Sequence, residues 1–218
     1  MNKRILFVLE HFWPHVGGAE TLFENVCAGL VSRGYIVTVV TTRLDDYKKH
    51  EVWREIDIHR VNCINRYGFT LFSLPRIYKL AKSADIIHTT TFNAALPAWI
   101  AAKILGKPCY ITVLEVWGEF WKEISGFTLF HRLFEKIIMS LRFDKYIAIS
   151  EYTKAQMQKI YNIREDKIQV IYPGIDYGIF DPGKYSKNKI HEELGCPTMD
   201  FFIYILDVPV MRKDYSIC

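Results

Sequence analysis

The stretch from residue 4 to residue 42 constrains the fold more than any other part of the chain. The runs Arg4 to Leu9 and Tyr35 to Thr42 are short, continuous and apolar, which is typical of strands buried on both faces. Between them, apolar residues recur at helical spacing at Leu22, Val26, Leu30 and Val31. The sequence therefore predicts a strand, a helix and a second strand, with a loop at residues 10–20 before the helix.

This loop contains a pair of glycines, Gly17 and Gly18, just before the predicted helix. The first turn of a helix has unpaired backbone N–H groups, so a phosphate or a phosphorylated sugar fits there when no side chain intervenes. The two glycines are equally compatible with a simple turn from strand to helix. Their spacing differs from the G-x-G-x-x-G pattern of dinucleotide-binding loops.

The composition limits the classes of protein to which the chain can belong. Half of its 218 residues are apolar, which is enough for a core. Its net charge of +4 is too small to indicate nucleic-acid binding. No window approaches ~20 uninterrupted apolar residues. The chain starts without a signal-peptide pattern, so we expect a cytoplasmic protein. The five cysteines are widely separated and predict neither disulfides nor a zinc site; they are interpreted as buried or idle thiols.

Beyond residue 42 the alternation of strands and helices continues. We predict strands at residues 56–61, 85–89, 109–114, 144–149 and 167–172, and helices at residues 74–84, 93–105, 130–142 and from 151 onwards. Residues 45–50 are polar and are interpreted as a solvated loop. The pattern predicts an α/β fold, a Rossmann-like parallel sheet flanked by helices, in which ligands bind beyond the carboxyl ends of the strands.

Two candidate ligand-binding features lie where predicted strands end. His88 falls at the carboxyl end of the strand at residues 85–89, although a buried structural histidine is the competing interpretation. The loop at residues 115–123 carries Trp117 and Trp121 among three carboxylates. Aromatic faces stack on sugars, and carboxylates accept hydrogen bonds from hydroxyl groups. The same loop equally fits a lid over the core or a membrane-facing edge.

The predicted helix at residues 130–142 has two faces of different character. Its apolar stripe is typical of a crossover helix packed on a sheet. The stripe consists of Phe130, Leu133, Phe134, Ile137, Ile138 and Leu141. The other face carries Arg132, Lys136 and Arg142, a pattern that also fits a helix lying on an anionic bilayer. Glu135 dilutes this basic face and favours the crossover interpretation.

The last part of the chain predicts a domain boundary. Residues 173–183 are dense in proline and glycine, and the apolar run at residues 201–206 is a predicted strand with no strand after it. We assign residues 1–172 to a Rossmann-like domain and residues 173–200 to a linker and the start of a second domain. Residues 201–218 are interpreted as a truncated or aberrant tail.

Four separate pieces of the sequence, taken together, carry a family resemblance. They are Phe12-Trp13-Pro14 with Gly17-Gly18-Ala19-Glu20, Asp85-Ile86-Ile87-His88, Ala148-Ile149-Ser150-Glu151-Tyr152-Thr153-Lys154, and Val170-Ile171-Tyr172-Pro173-Gly174-Ile175-Asp176 with Phe180. In their order and placement they resemble the group 1 (family 4) retaining glycosyltransferases of the GT-B fold. Such enzymes have two Rossmann-like domains facing across a cleft, and the chain resembles the amino-terminal, acceptor-side domain.

The resemblance implies roles for individual residues. With the aromatic loop, it gives a set of substrate-binding candidates, of which the two glycines would lie near the donor phosphates or the acceptor. These candidates are Gly17, Gly18, Glu20, His88, Trp117, Ser150 and Glu151. Ser150 is also a natural N-cap for the helix that follows it. Many family members have a histidine where this chain has Leu114, and Glu115 is the candidate for its catalytic role.

The resemblance also implies a reaction. A complete member transfers a sugar from a nucleotide-sugar donor to a sugar, phospho-sugar or lipid-linked acceptor with retention, and requires neither a metal nor a cofactor. The family's donor-binding machinery belongs to a carboxyl-terminal domain that this chain lacks, so we expect the chain alone to be inactive. Peripheral contact with the inner face of a membrane is compatible with this reaction.

Two other classes of function stay open. The first is a non-catalytic binding or scaffold module that keeps the Rossmann-like fold and associates with a partner. The second is a different Rossmann enzyme that uses NAD or a methyl donor. The missing glycine fingerprint and the lack of a clear acidic ribose-binding position after the second strand argue against the second class, although Asp45 and Asp46 lie close to that position.

Overall fold

A single mixed sheet organises the described part of the chain. The computed structural model describes residues 2–44, 46–63, 65–124, 128–175, 178 and 181. The chain divides into two compact units, residues 1–174 and residues 175–218. Because only Ile175, Gly178 and Asp181 of the second unit are described, the account that follows concerns the first unit.

The sheet has eight strands in the order β3-β4-β2-β1-β5-β6-β7-β8. The strands are β1 Arg4–Val8, β2 Ile36–Thr42, β3 His50–Trp53, β4 Ile56–Val61, β5 Ile86–Thr90, β6 Cys109–Val113, β7 Lys145–Ala148 and β8 Ile168–Val170. Every neighbouring pair is parallel except β3 with β4, which is antiparallel. The predicted Rossmann-like sheet is confirmed, with one antiparallel strand at its edge.

Helices connect the parallel strands. They are α1 Gly18–Val31, α2 Arg66–Phe72, α3 Leu74–Ala81, α4 Ala95–Leu105, α5 Trp121–Ile124, α6 Thr128–Ser140 and α7 Glu151–Tyr161. Local signals set several of their ends. Gly106 takes a left-handed conformation and ends α4, and the Ser150 side chain accepts a hydrogen bond from the backbone N–H of Thr153, which confirms it as the N-cap of α7.

The core has two parts, one on each face of the sheet. On one face, Phe23 and Cys27 of α1 pack with side chains of β1, β2 and β4. On the other face, α3, α4, α6 and α7 pack on β1, β5, β6 and β7. This division follows from topology, because right-handed crossovers that run in opposite directions from the centre of a sheet lie on opposite faces.

Three elements were not predicted: β3, α2 and the four-residue helix α5, which begins in the loop at residues 115–123. Strand β3 begins at His50, inside the segment interpreted as a solvated loop, and it forms because it pairs with β4 rather than because of its own apolar pattern. Helix α2 is short, and the side chain of Asn65 caps it by accepting from the N–H of Gly68.

Helix α6 differs from its predicted packing in two ways. Ile138 and Met139 are buried, but Phe130, Leu133 and Ile137 of the predicted stripe are exposed. Part of the stripe therefore packs on the sheet, as expected of a crossover helix, and part of it faces solvent. The placement of Glu135 on the basic face is wrong, because this residue is only 3% exposed and points into the protein.

Other expectations have mixed outcomes. Cys27 and Cys109 are buried free thiols, as predicted, and burial raises the pKa of Cys109 to about 12. No helix in the described residues has the length and apolar character needed to cross a membrane. The predicted tail at residues 201–218 and most of the predicted linker at residues 173–200 lie outside the described residues.

Candidate functional site

The carboxyl ends of β1 and β5 lie side by side at the centre of the sheet. The chain leaves β1 toward β2 in one direction, and it leaves β5 toward β6 in the other. Such a reversal of strand order opens a crevice between the two following loops, where ligands bind in open α/β sheets. The segments after β1 and β5 therefore define the candidate site.

A buried polar cluster spans this crevice. Glu10, two residues after β1, is 7% exposed, and Asn93 follows β5. The Asn93 side-chain amide donates to Oε2 of Glu10 at 2.8 Å, and Nε of Arg66 lies 3.1 Å from Oε1. Burial alone would raise the pKa of Glu10, but hydrogen bonds from His11 and Asn93 and the charge of Arg66 outweigh it, so this pKa is lowered.

This cluster was missed by the sequence analysis. Glu10 directly follows an apolar run, which is the only local signal that distinguishes it. Asn93 is 1% exposed, and its Oδ1 has no hydrogen-bond partner among the described residues. Phe92, the residue before it, has a φ of 68°, a left-handed conformation that costs energy for a non-glycine residue. Strain and an unpaired buried acceptor thus occur together at the crevice.

Next to the cluster, the glycine pair opens α1. Gly17 is the N-cap, in extended conformation, and Gly18 is the first helical residue. A Cβ added at Gly17 would overlap the carboxylate of Glu20, whereas one added at Gly18 meets no atom within 4 Å. Glu20 is buried, and its Oε1 lies 3.3 Å from Nδ1 of His15. The helix N-terminus is therefore open at Gly18 and covered by an acidic side chain at Gly17.

The aromatic loop after β6 is fixed by a single buried carboxylate. Oε1 of Glu135 accepts from the N–H of Trp117 at 2.8 Å, and Oε2 accepts from the N–H of Gly118 at 2.9 Å and from Nε1 of Trp121 at 2.7 Å. Gly118 has a φ of 51°, and Ile160 of α7 packs closely over it. The loop is therefore a pre-organised surface, not a loose lid.

The two tryptophans differ in how much aromatic face they leave open. Trp121 stacks on His131 at 4.9 Å and contacts the edge of Phe92. Trp117 is half-buried, with a tilted contact to Trp121 at 5.6 Å. Since Phe92 belongs to the segment after β5, the aromatic loop reaches the crevice, and Trp117 offers the less occupied face.

Two of the loop's carboxylates, Glu115 and Glu119, have side chains that the structure describes, and their surroundings differ. Glu119 makes exposed ion pairs with Lys122 and Arg132. Glu115, the candidate catalytic residue, is exposed two residues beyond β6. It makes no ion pair or hydrogen bond with another described residue. Its position at the carboxyl edge agrees with the prediction, and its role stays a prediction.

His88 lies deeper than predicted. Strand β5 continues to Thr90, so His88 is at the middle of the strand and not at its carboxyl end. Its ring stacks on Phe7 at 4.9 Å, and its Nε2 lies 2.8 Å from Oγ1 of Thr112. Burial lowers its pKa to about 4, so His88 is neutral at neutral pH. These contacts favour the competing interpretation of a structural histidine.

Ser150 and Glu151 follow β7, the neighbour of β6. The Ser150 hydroxyl is used as the N-cap of α7, while Glu151 is exposed in the first turn of that helix. Both residues are thus at the same edge of the sheet as Glu115. The structure brings the predicted residues to one edge, with His88 as the exception.

A model of one protein family matches most of the chain. The model of Glycosyltransferase Family 4 matches residues 16–178. A search of curated proteins finds no match.

Solved structures provide similar folds at low sequence identity. A glycosyltransferase from Rickettsia africae is 21% identical with a TM-score of 0.62, and the match covers 90% of this chain and 50% of that one. A sucrose-phosphate synthase from Thermosynechococcus elongatus is 16% identical with a TM-score of 0.71, and the match covers 90% of this chain and 53% of the synthase. HepE from Anabaena, in complex with UDP and glucose, is 18% identical with a TM-score of 0.64, and the match covers 89% of this chain and 50% of HepE. The chain spans about half the length of these proteins.

Proposed function

Because the chain belongs to Glycosyltransferase Family 4, we propose that it forms the amino-terminal, acceptor-side half of a GT-B enzyme that transfers a sugar from a nucleotide-sugar donor with retention. The observation that carries this proposal is the family match over residues 16–178, which includes the glycine pair and the loops after β5, β6 and β7. The donor is proposed to be a nucleotide-diphosphate sugar, since HepE was solved with UDP and with UDP-glucose.

The geometry supports binding of the donor and the acceptor by different parts of the crevice. The open N-terminus of α1 at Gly18 suits a donor phosphate, because unpaired N–H groups and the helix dipole favour an anion there. The half-buried face of Trp117 suits the apolar side of an acceptor sugar. Asn93, held by Glu10, is almost fully buried and supports the segment after β5 from inside the protein. We keep Glu115 as the proposed catalytic residue on resemblance alone.

We further propose that the chain alone does not complete the reaction and that the transfer needs no metal. Leaving-group charge would be stabilised by helix N-termini and by basic side chains. The second half of the donor site would come from the domain that corresponds to the other half of the solved relatives. The acceptor is a sugar, a phospho-sugar or a lipid-linked sugar.

A panel of ligands tests the proposal against the alternative Rossmann enzymes. The melting temperature of the purified chain is measured with UDP, GDP, ADP, their sugar conjugates, NADH and S-adenosylmethionine. A ligand that binds the folded state raises the melting temperature in a concentration-dependent way. We expect a rise with one nucleotide or nucleotide sugar and none with NADH or S-adenosylmethionine. A rise with NADH or S-adenosylmethionine alone would overturn the proposal.

We also propose that α6 brings the cytoplasmic face of an anionic membrane next to the site. Four side chains on α6 are strongly exposed: Leu129 at 79%, Phe130 at 51%, Leu133 at 54% and Ile137 at 43%. Arg132 and Lys136 are exposed beside them. Apolar side chains flanked by cations are what an anionic bilayer binds. Phe130 contacts Tyr67, whose hydroxyl lies 2.8 Å from Nε2 of His131 beneath the aromatic loop.

Paired substitutions test this contact. We expect Leu133→Ser and Lys136→Glu to weaken cosedimentation with phosphatidylserine-containing vesicles. Ile104→Ser and Lys159→Glu, exposed changes of the same kind on α4 and α7, should leave it unchanged. Equal binding by all four variants would remove the membrane contact. Stable copurification of a protein partner that is released by Leu133→Ser would instead favour the scaffold module.

A further inference from the structure

The β3–β4 edge of the sheet carries a cluster of two histidines and an aspartate, residue types that can ligate a metal. Strands β3 and β4 are antiparallel, with His50 directly opposite His59 and Val52 opposite Asp57. Side chains on a strand alternate between faces, so His59 and Asp57, two residues apart, share a face with the cross-strand residue His50. This arrangement places two imidazoles and one carboxylate together.

The three side chains lie close together. Nε2 of His50 lies 2.6 Å from Oδ1 of Asp57, and Nε2 of His59 lies 3.0 Å from Oδ2. One ligand atom from each residue can be chosen so that all three lie within 4.8 Å of one another. The two imidazole rings are stacked, with centroids 4.4 Å apart and planes 8° apart. In the described residues no other group of three such side chains meets this criterion.

We propose that His50, Asp57 and His59 bind a divalent transition-metal ion of the Zn²⁺ type. Two imidazole nitrogens and one carboxylate oxygen form a common zinc ligand set, and a water would complete the tetrahedron. Ca²⁺ and Mg²⁺ prefer sites made of oxygen atoms and fit less well. His50 is exposed, which gives the ion a direct path from solvent.

Binding of an ion requires the exposed His50 side chain to rotate. Ligand atoms about 2.0–2.2 Å from a zinc ion in a tetrahedron are about 3.3–3.6 Å apart. The His50 contact at 2.6 Å therefore needs to lengthen by about 0.7–1.0 Å and the His59 contact at 3.0 Å by about 0.3–0.6 Å. The two parallel rings must also turn so that both nitrogens face the ion, and rotation of the exposed His50 side chain permits this.

The surroundings set the expected strength of binding. Nδ1 of His59 is buried and has no hydrogen-bond partner in the described residues, so no carboxylate or carbonyl there orients this ring from behind. Loss of such outer contacts typically weakens metal sites about 10- to 100-fold. We therefore expect micromolar affinity. A bound ion would tie the edge strand β3 to β4 and stabilise the folded chain, without taking part in sugar transfer.

Titration of the untagged chain with Zn²⁺ by calorimetry, and with Co²⁺ by visible absorption, tests the proposal. We expect one saturable site per chain, the intense bands of tetrahedral Co²⁺, and a concentration-dependent rise in melting temperature. His50→Ala and Asp57→Asn should each weaken binding at least tenfold. His50 and Asp57 are not core residues, so both variants should keep the wild-type far-UV circular dichroism spectrum.

A second pair of stacked histidines provides the control. His11 and His15 stack at 4.5 Å and lie beside Glu10 and Glu20. The double variant His11→Ala/His15→Ala should keep the Zn²⁺ affinity of the unmodified chain. The proposal is overturned if the unmodified chain shows no saturable binding, if His50→Ala binds equally well, or if the control variant loses the site.

Discussion

The side-chain amide of Asn93 donates a 2.8 Å hydrogen bond to Oε2 of Glu10. The two residues are 83 positions apart in sequence, and their contact joins the segments that follow β1 and β5. Because a carboxylate accepts and cannot donate, this contact also fixes the orientation of the amide, with its Oδ1 turned away. The crevice between the two central strands is thus built on a buried, charge-assisted hydrogen bond.

Removing this amide should destabilise the chain. Asn93→Ala leaves the buried carboxylate of Glu10 with fewer partners, and we expect a loss of about 1–3 kcal/mol in the free energy of unfolding. Urea denaturation measures it. Asn62→Ala removes an exposed amide that accepts from Arg43 and should cost less than about 0.5 kcal/mol. Similar losses for the two variants would contradict the role assigned to the Asn93–Glu10 contact.

Desolvation of the His88 imidazole makes stability depend on pH. Its pKa falls from 6.5 to about 4 on folding. As the pH falls below 6.5, the imidazole is therefore protonated in the unfolded chain before it is protonated in the folded one. Stability from this group is complete above 6.5 and is lost progressively as the pH falls toward 4. We expect a loss of about 2 kcal/mol between about pH 7 and about pH 5.

The variant His88→Gln isolates this contribution. Glutamine does not titrate in this range, and its amide can still hydrogen-bond to Thr112. The difference in unfolding free energy between the two pH values should therefore be smaller in the variant by most of that amount. His59 also has a lowered pKa, so some pH dependence remains. An identical pH dependence in both proteins would show that His88 does not contribute.

The carboxylate of Glu135 should control the order of the aromatic loop. Glu135→Gln replaces an acceptor oxygen with an NH₂ group that faces N–H donors, and we expect a loss of about 2–4 kcal/mol. Trp117 and Trp121 should become more exposed, which shifts tryptophan fluorescence to longer wavelength. Glu119→Gln changes an exposed ion-paired residue and should leave both the stability and the fluorescence maximum nearly unchanged. Unchanged fluorescence in Glu135→Gln would contradict this role.

The open N-terminus of α1 gives a prediction that separates binding from stability. Gly18→Ala adds a Cβ to open space at the first helical position, so stability should change by less than about 0.5 kcal/mol. The same methyl group blocks the approach of a phosphate, and we expect the melting-temperature rise with the best nucleotide sugar to disappear. Gly29→Ala, on the same helix, is the matched control and should keep that rise. A full rise in Gly18→Ala would exclude phosphate binding at this position.

Much of the fold could be predicted because it depends on local patterns. The apolar runs of β1, β2, β5 and β6 and the glycine after α4 are read directly from neighbouring residues. Strand β3 could not be predicted in this way, since its polar sequence becomes a strand only by pairing with β4. The same limitation hid the cluster of His50, Asp57 and His59.

The site was predicted less completely than the fold. Gly18, Trp117 and Ser150 follow from loop positions and capping rules, which are local. The contact of Glu10 with Asn93 forms because β1 and β5 are neighbours in the sheet. The sequence alone does not show which strands are neighbours. Glu135 was misplaced because helical periodicity assigns charged residues to solvent, whereas three converging donors stabilise this carboxylate inside the protein.

Hydrogen–deuterium exchange of the chain, with and without UDP-glucose and GDP- and ADP-sugars, tests the central claim most directly. The account predicts that at least one nucleotide sugar slows exchange at residues 9–20 and 91–95 and in the loop at residues 115–121, and that NADH does not. Protection of these segments by NADH with no effect of any nucleotide sugar would contradict the assignment of this crevice to sugar transfer.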